Sequence, residues 1–199
     1  MKTTKDTRSA ILDVAQDLVQ RRSISGVSFQ ELAKRIGIKK GSMYYHFESK
    51  DELAVALLDR VADGLKNCFE RGLHKTPDER LLYFFRLYQQ HIGVGMRICP
   101  GGAFAGEWEK LSEPVKNAAH RLIEVQRSGV EQILAAGDAK QAFSLHGQSV
   151  RATANFIVSS IQGGLLTSRM LDSEDPFIDS AMLICGYLGI NVTREALLG

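Results

Sequence analysis

Apolar residues recur along this chain at helical spacing, not strand spacing. Ile11, Leu12, Ala15, Leu18 and Val19 follow an i, i+3/i+4, i+7 rhythm and predict one buried face on a first helix of about four turns. Arg21 to Gly26 ends it, with Gly26 as the breaker. Ser28-Phe29-Gln30-Glu31 is a capping box, in which the hydroxyl accepts from the Glu31 amide and the carboxylate reaches back. Phe29, Leu32, Ala33 and Ile36 supply the inner side of the short second helix it opens, and Gly37 stops that helix. Ile38 plugs the turn, and Lys39 to Phe47 predicts a third short helix with Met43 and Phe47 turned inward.

A second capping box, Ser49-Lys50-Asp51-Glu52, starts a long amphipathic helix through Leu53, Ala56, Leu57, Val61, Leu65 and Phe69. A third, Thr76-Pro77-Asp78-Glu79, places proline where its missing N–H costs nothing and predicts a helix from about Glu79 to Ile92. Gly93, Gly95 and Pro100-Gly101-Gly102 break the pattern before a helix over 103–110. Ser112-Glu113-Pro114 opens another to about Ala136, followed by a loop from Gly137-Asp138 to Gly147. Two last helices are predicted near 148–170 and 176–190, the second capped by Asp175. No run alternates β-branched residues, so the fold class is all-α.

Composition narrows the class. The chain of 199 residues is 44% hydrophobic and 24% charged, enough for a sizeable core. No apolar run approaches the roughly 20 residues that span a bilayer. Met1 to Asp6 is basic but precedes no apolar stretch, so no secretory signal is read and a cytoplasmic location is expected. Cys68, Cys99 and Cys185 form no CxxC pair, so no disulfide framework, metal or cofactor is expected. The charge is uneven: residues 1–50 carry ten Lys/Arg against five Asp/Glu, while 51–199 carry fifteen against eighteen. A basic first quarter fits a polyanionic partner; a solvated basic face is the plainer reading of the charge alone.

Two short helices around a glycine turn, the second basic and rich in hydroxyls and aromatics, have the geometry of a helix-turn-helix. The major groove of DNA, about 12 Å wide, admits one helix. Lys39, Lys40, Ser42, Tyr44, Tyr45 and His46 offer donors to base edges and phosphates, and Gly41 lets the backbone approach.

The segment from Ser28 to Lys50 resembles the DNA-binding signature of TetR-family repressors: a Thr/Ser cap, Leu32-Ala33, a glycine turn, then Gly41-Ser42-Met43-Tyr44-Tyr45-His46-Phe47 and a following lysine. Ile38 stands for the family's valine and Met43 for its leucine. The resemblance covers about residues 7–55, and residues 56–199 carry no equally specific signature. It implies a three-helix DNA-binding head at 1–50 and a larger helical domain at 51–199 for effector binding and dimerisation. Lys40, Gly41, Ser42 and Tyr44 align with base-facing positions, Gln30 with a base contact from the preceding helix, and Tyr45, His46 and Lys50 with phosphate contacts. Packing against the head remains an alternative for Tyr44, and a structural hydrogen bond for His46.

The resemblance also implies a homodimer on a near-palindromic double-stranded operator, paired through the last two long helices. Phe156, Ile157, Ser160, Gly163-Gly164 and Thr167, then Phe177, Met182, Ile184, Tyr187 and Leu188, would serve that interface or an internal core. A small-molecule effector pocket is expected to draw on Tyr88, His91, Cys99, Phe104 and Trp108, within an aromatic stretch that also includes Tyr83 and Phe84. Met96 to Ala103 resembles a cysteine-bearing segment of a TetR subgroup with members that sense electrophiles or oxidants, and Cys99 lies before a helix start and near Arg97, both of which favour a thiolate. A small buried hydrophobe is the other reading of Cys99. There is no GxSxG, Walker, GxGxxG or HExxH pattern, so an enzyme is not expected. A helical architectural or protein-docking module with non-specific DNA binding is the competing class.

Overall fold

The regular structure of the described residues is entirely helical. The computed structural model describes residues 4–92, 95 and 97–198. The helices are α1 (Thr4–Arg22), α2 (Phe29–Ile36), α3 (Lys40–His46), α4 (Lys50–Arg71), α5 (Pro77–Ile92), α6 (Pro100–Ala105), α7 (Glu113–Ala139), α8 (Val150–Leu171), α9 (Asp175–Leu188) and α10 (Arg194–Leu198), with a 3-10 turn at Trp108–Lys110. No helix of the described residues is long and apolar enough to cross a membrane. Gly93, read as a breaker, and Met96 lie outside the described residues.

The capping signals hold where they are local. The Ser28 hydroxyl accepts from the Glu31 amide at 3.2 Å, while the Glu31 carboxylate pairs with Arg22 and Arg35, each at 3.1 Å, instead of reaching back. Ser49 accepts from the Glu52 amide at 3.1 Å, and Glu52 accepts from the Glu48 amide at 2.6 Å. The third box is fully reciprocal: Thr76 N–H donates to the Glu79 carboxylate at 2.9 Å and Glu79 N–H to the Thr76 hydroxyl at 3.4 Å.

Other boundaries are corrected. α6 starts at Pro100 and ends at Ala105, so Pro100-Gly101-Gly102 forms the first turn of a helix instead of breaking the chain before one. A proline needs no N–H partner there and its fixed φ already suits a helix. α7 continues to Ala139, through the Gly137-Asp138 expected as loop. Asp175 is inside α9, not its cap; Ser173 Oγ accepts from Asp175 N–H at 3.2 Å and Ser168 Oγ from Phe177 N–H at 3.1 Å.

The chain packs as two compact units: Met1–Asp63 with Pro100–Ile123, and Gly64–Cys99 with Glu124–Gly199. In the first, Ile11, Ala15, Leu18 and Val19 of α1 are fully buried, as are Leu32, Met43, Phe47, Leu53 and Leu57. α1 packs on α2 and on α6, whose Phe104 is also fully buried. Each of these side chains larger than that of Ala15 contributes about 1.5–3 kcal/mol of burial.

In the second unit α8 lies along α9, α5 packs on α8, and α10 closes on α5 and α9. Gly164 permits the α8–α9 approach, since a Cβ there would sit 3.0 Å from Phe177 Cα. Ile157, Phe177, Ile184 and Leu188, apolar positions on which the dimer expectation drew, are buried inside this unit. Period 3.6 brings both faces of α8 and α9 into one apolar list, and only packing separates them. Phe156, Leu166, Met170 and Leu183 are the large apolar side chains these two helices leave exposed, with Leu171 at the end of α8.

Gly137 is packed so closely that a Cβ would lie 2.0 Å from the Phe143 ring. A helical Gly→Ala change ordinarily adds about 1 kcal/mol of stability. Here the buried ring must leave its place, and overpacking of this kind costs about 1–3 kcal/mol. Gly137→Ala should therefore lower the unfolding free energy in urea by about 1 kcal/mol; a gain in stability would contradict the packing.

Candidate nucleic-acid interface

A helix of seven residues cannot hold itself in water, because nucleation is unfavourable and few bonds follow it. α3 is held from its inner side. Met43 and the following Phe47 are fully buried, and the Arg8 guanidinium covers the Phe47 ring at 4.6 Å. α2 meets it through a turn in which Gly37 takes a left-handed conformation at φ 79°, donating to Ala33 O at 3.0 Å. A residue with a Cβ is strained there, so glycine is required by the backbone. Ile38 is half-buried beneath the turn and donates to the same carbonyl at 3.0 Å.

The outer side of α3 is open. Lys39, Lys40, Gly41, Ser42, Tyr44 and Tyr45 are exposed, and so is Gln30 on α2. Tyr45 keeps 77% of its surface in solvent. A Cβ on Gly41 would meet nothing within 4 Å, so packing inside this chain does not explain that glycine. Tyr44 is divided between its two readings: it is 52% exposed, yet its ring stands edge-on to Phe29 at 5.2 Å. His46 is half-buried with its ring edge-on to Tyr45 at 5.2 Å. Lys50 is half-buried and donates to Ser25 O at 3.2 Å.

Sequence reading missed a clamp on the loop ahead of α2. Ser25 N–H donates to the Glu107 carboxylate at 3.1 Å, across 82 positions, while Lys50 holds the carbonyl of the same residue. Burial pushes the Glu107 carboxyl up, but hydrogen bonds from Ser25 and Ser23 outweigh it and hold the group below its ordinary value of 4.5. The segment after α6 thus belongs to the unit that presents α3.

The expected effector residues fall in both units. Tyr88, His91 and Cys99 are in the second, and Phe104 and Trp108 in the first, where Trp108 lies against the His120 ring at 5.0 Å. Within the second unit, Tyr88 is buried; its hydroxyl shares a hydrogen bond with the Cys99 thiol, and burial, then Cys99, hold it well above the ordinary tyrosine range. Cys99 is 2% exposed and receives Gln126 Nε2 at 3.4 Å; Gln126 Oε1 in turn accepts from Gln162 at 3.4 Å. His91 lies beside Tyr88 at 6.1 Å between rings, and burial, with the Arg97 charge second, lowers it to about 4. Among the described residues no three His, Cys, Asp or Glu side chains converge in a way that could hold a metal.

A short helix held by its inner face, following a glycine turn and presenting lysines and tyrosines outward, defines a helix-turn-helix DNA-binding head. Residues 11–57 match the family model described as bacterial regulatory proteins, tetR family. The HTH-type transcriptional regulator LmrA of Bacillus subtilis is 25% identical over 184 residues, 87% of this chain and 92% of its own. The HTH-type transcriptional repressor NemR of Escherichia coli is 28% identical over 138 residues, 67% of this chain and 66% of its own. A TetR-family regulator from Agrobacterium tumefaciens superposes with a TM-score of 0.87 at 19% identity, covering 94% of this chain and 99% of that one. Residues 11–57 are thus similar to the DNA-binding region of TetR-family transcriptional regulators, and the chain as a whole shares their fold.

The Glu107 clamp has a pH signature. A carboxylate lowered on folding contributes stability that is present above its unfolded value and is lost as pH falls through the folded one. The loss should begin as pH drops below the ordinary 4.5. Glu107→Gln should flatten that acid limb in thermal unfolding followed from about pH 6 to about pH 3; an unchanged limb would place the acid sensitivity elsewhere.

Proposed function

We propose that the protein is a transcriptional repressor that binds a near-palindromic operator as a homodimer and leaves it when a small molecule binds. The open lysine and tyrosine face of α3 carries this reading. Lys40, Ser42 and Tyr44 read base edges with Gly41 at closest approach, Gln30 adds a contact from α2, and Lys39, Tyr45, His46 and Lys50 fix the phosphates. For that last role Lys50 must exchange Ser25 O for a phosphate oxygen.

One head makes too few contacts for tight binding, so two copies on successive major grooves, about 34–36 Å apart, are needed. The pairing surface is the outer face of α8 and α9. Phe156, Leu166, Met170 and Leu183 stand exposed there, and a Cβ on Gly163 or Gly186 would meet nothing within 4 Å. Large apolar side chains left exposed in this number on two neighbouring helices favour an association surface. Effector response is assigned to the second unit, with Tyr88, His91 and Cys99 as one responsive cluster, at a coupling of about 1–3 kcal/mol. NemR is named a repressor and has been solved in a reduced form, which supports an oxidant as one effector class; an electrophile, and Cys99 as the point of action, rest on the resemblance of Met96 to Ala103.

Operator fragments selected from random duplexes by the purified protein test the reading directly. Lys40→Ala should cost about 1–3 kcal/mol and relax specificity at one position. Lys50→Ala should weaken all sequences alike and reduce the slope of log affinity against log salt by about one. Binding without sequence preference would favour the architectural class instead. Leu183→Asp should shift sedimentation from dimer to monomer at micromolar concentration; a monomeric wild type would remove the pairing model. Intact-mass analysis after mild electrophile treatment, with Cys99→Ser as control, tests the thiol: operator release without an adduct at Cys99 excludes it.

A further inference from the structure

The turn between α4 and α5 holds a cavity of about 300 Å³ that Tyr88, His91, Cys99, Phe104 and Trp108 do not line, though Tyr83 and Phe84 of the same aromatic stretch do. One wall is aromatic. Phe69 and Phe84 stack at 5.9 Å with 22° between their planes, and Tyr83 and Leu87 continue the surface. The Phe69 ring is seated against Gly129 of α7, where a Cβ would lie 2.1 Å from it, so glycine at that position creates the wall. The opposite chemistry is cationic. Arg71, Lys75 and Arg80 line the cavity together with His74, and no carboxylate does.

Arg80 is the unusual member. It is 8% exposed, and its Nε and Nη2 atoms are sealed from solvent with no hydrogen-bond partner among the described residues. Its backbone N–H is used normally, donating to Thr76 O at 3.0 Å, so the helix accounts for the main chain but not for the side chain. Burial lowers the guanidinium's pKa, yet an arginine stays protonated at neutral pH. A buried cation that the chain does not pair is unfavourable unless something else supplies the acceptor.

We propose that this cavity binds a small aromatic carboxylate, its acid group paired with the Arg80 guanidinium and its ring against Phe69, Phe84 and Tyr83. A carboxylate presents two oxygens in a plane, the match for a guanidinium's paired N–H groups, and binding requires Arg80 to turn Nε and Nη2, sealed in the unliganded chain, toward the cavity. The stacked phenyl rings favour a flat apolar body, and the exposed Arg71 and Lys75 add attraction for an anion at the rim. As a binding site this stands on the cavity alone; only its use as the trigger for DNA release rests on the repressor reading.

Calorimetry with naphthalene-2-carboxylate and the isosteric neutral naphthalene-2-carboxamide, on protein without DNA, tests it. Wild type should bind the acid at least about ten-fold tighter than the amide, the difference an added charge-assisted pair supplies. Arg80→Met keeps the stem and removes the charge; it should bind both alike, and unliganded it should melt no lower than wild type. Equal affinity of wild type for acid and amide, absence of binding, or an acid preference that survives Arg80→Met would each overturn the proposal. Should the variant fail to fold, a crystal of the wild-type complex decides: the carboxylate within hydrogen-bond reach of Arg80 supports the site, and a ligand bound elsewhere overturns it. Operator release is measured separately, so binding without release confirms the site while removing it as the repressor's trigger.

Discussion

The head depends on burying one side of a seven-residue helix deeply enough to leave its other side free. α3 gains little from its own hydrogen bonds, so its orientation is set by Met43 and Phe47 beneath it and by the turn at Gly37. The arrangement separates duties by face. Residues that fix the helix point inward and are apolar; those available to a duplex point outward and make few bonds within the protein. Tyr44 straddles the division, with its ring steadied by Phe29 and half its surface in solvent. A tyrosine held in this way loses less rotational freedom on reaching a base than a lysine does.

The same separation recurs in the second unit. α8 and α9 each spend one apolar face on the core and leave another apolar face outside, beside glycines that nothing covers. Around Cys99, by contrast, polar groups are turned inward and joined to one another: Tyr88, the thiol and Gln126 form a buried run of hydrogen bonds that continues to the half-buried Gln162. Such a run is sensitive to any change at one member, because each group depends on its neighbour for its partner. Modification of the thiol would therefore disturb more than the space it occupies.

What the sequence made legible was local. Capping boxes span four residues, and a left-handed glycine announces itself by its position after an apolar stretch, so the helix-turn-helix and most helix starts could be read directly. Pro100 misled because proline signals both a break and a beginning, and only the packing of α6 on α1 decides between them. The faces of α8 and α9 could not be assigned because core and partner attract the same residue types. Glu107 and Ser25 are 82 positions apart, and no periodicity joins them. Arg80 gave no signal at all: on paper it is one charged residue on an amphipathic helix, and its isolation exists only once α4 and α5 are folded together.

The grip of Glu107 on the loop before α2 bears on how DNA preference could be transplanted between such proteins. A graft cut after α3 would carry the reading surface but leave behind α6 and the acid that steadies the approach to it. Residues 100–123 are thus part of the head's chassis, though they lie in the middle of the chain. Respecifying the target by repainting only the outward side chains of α3 leaves that chassis whole, and is the sounder route to a chimera.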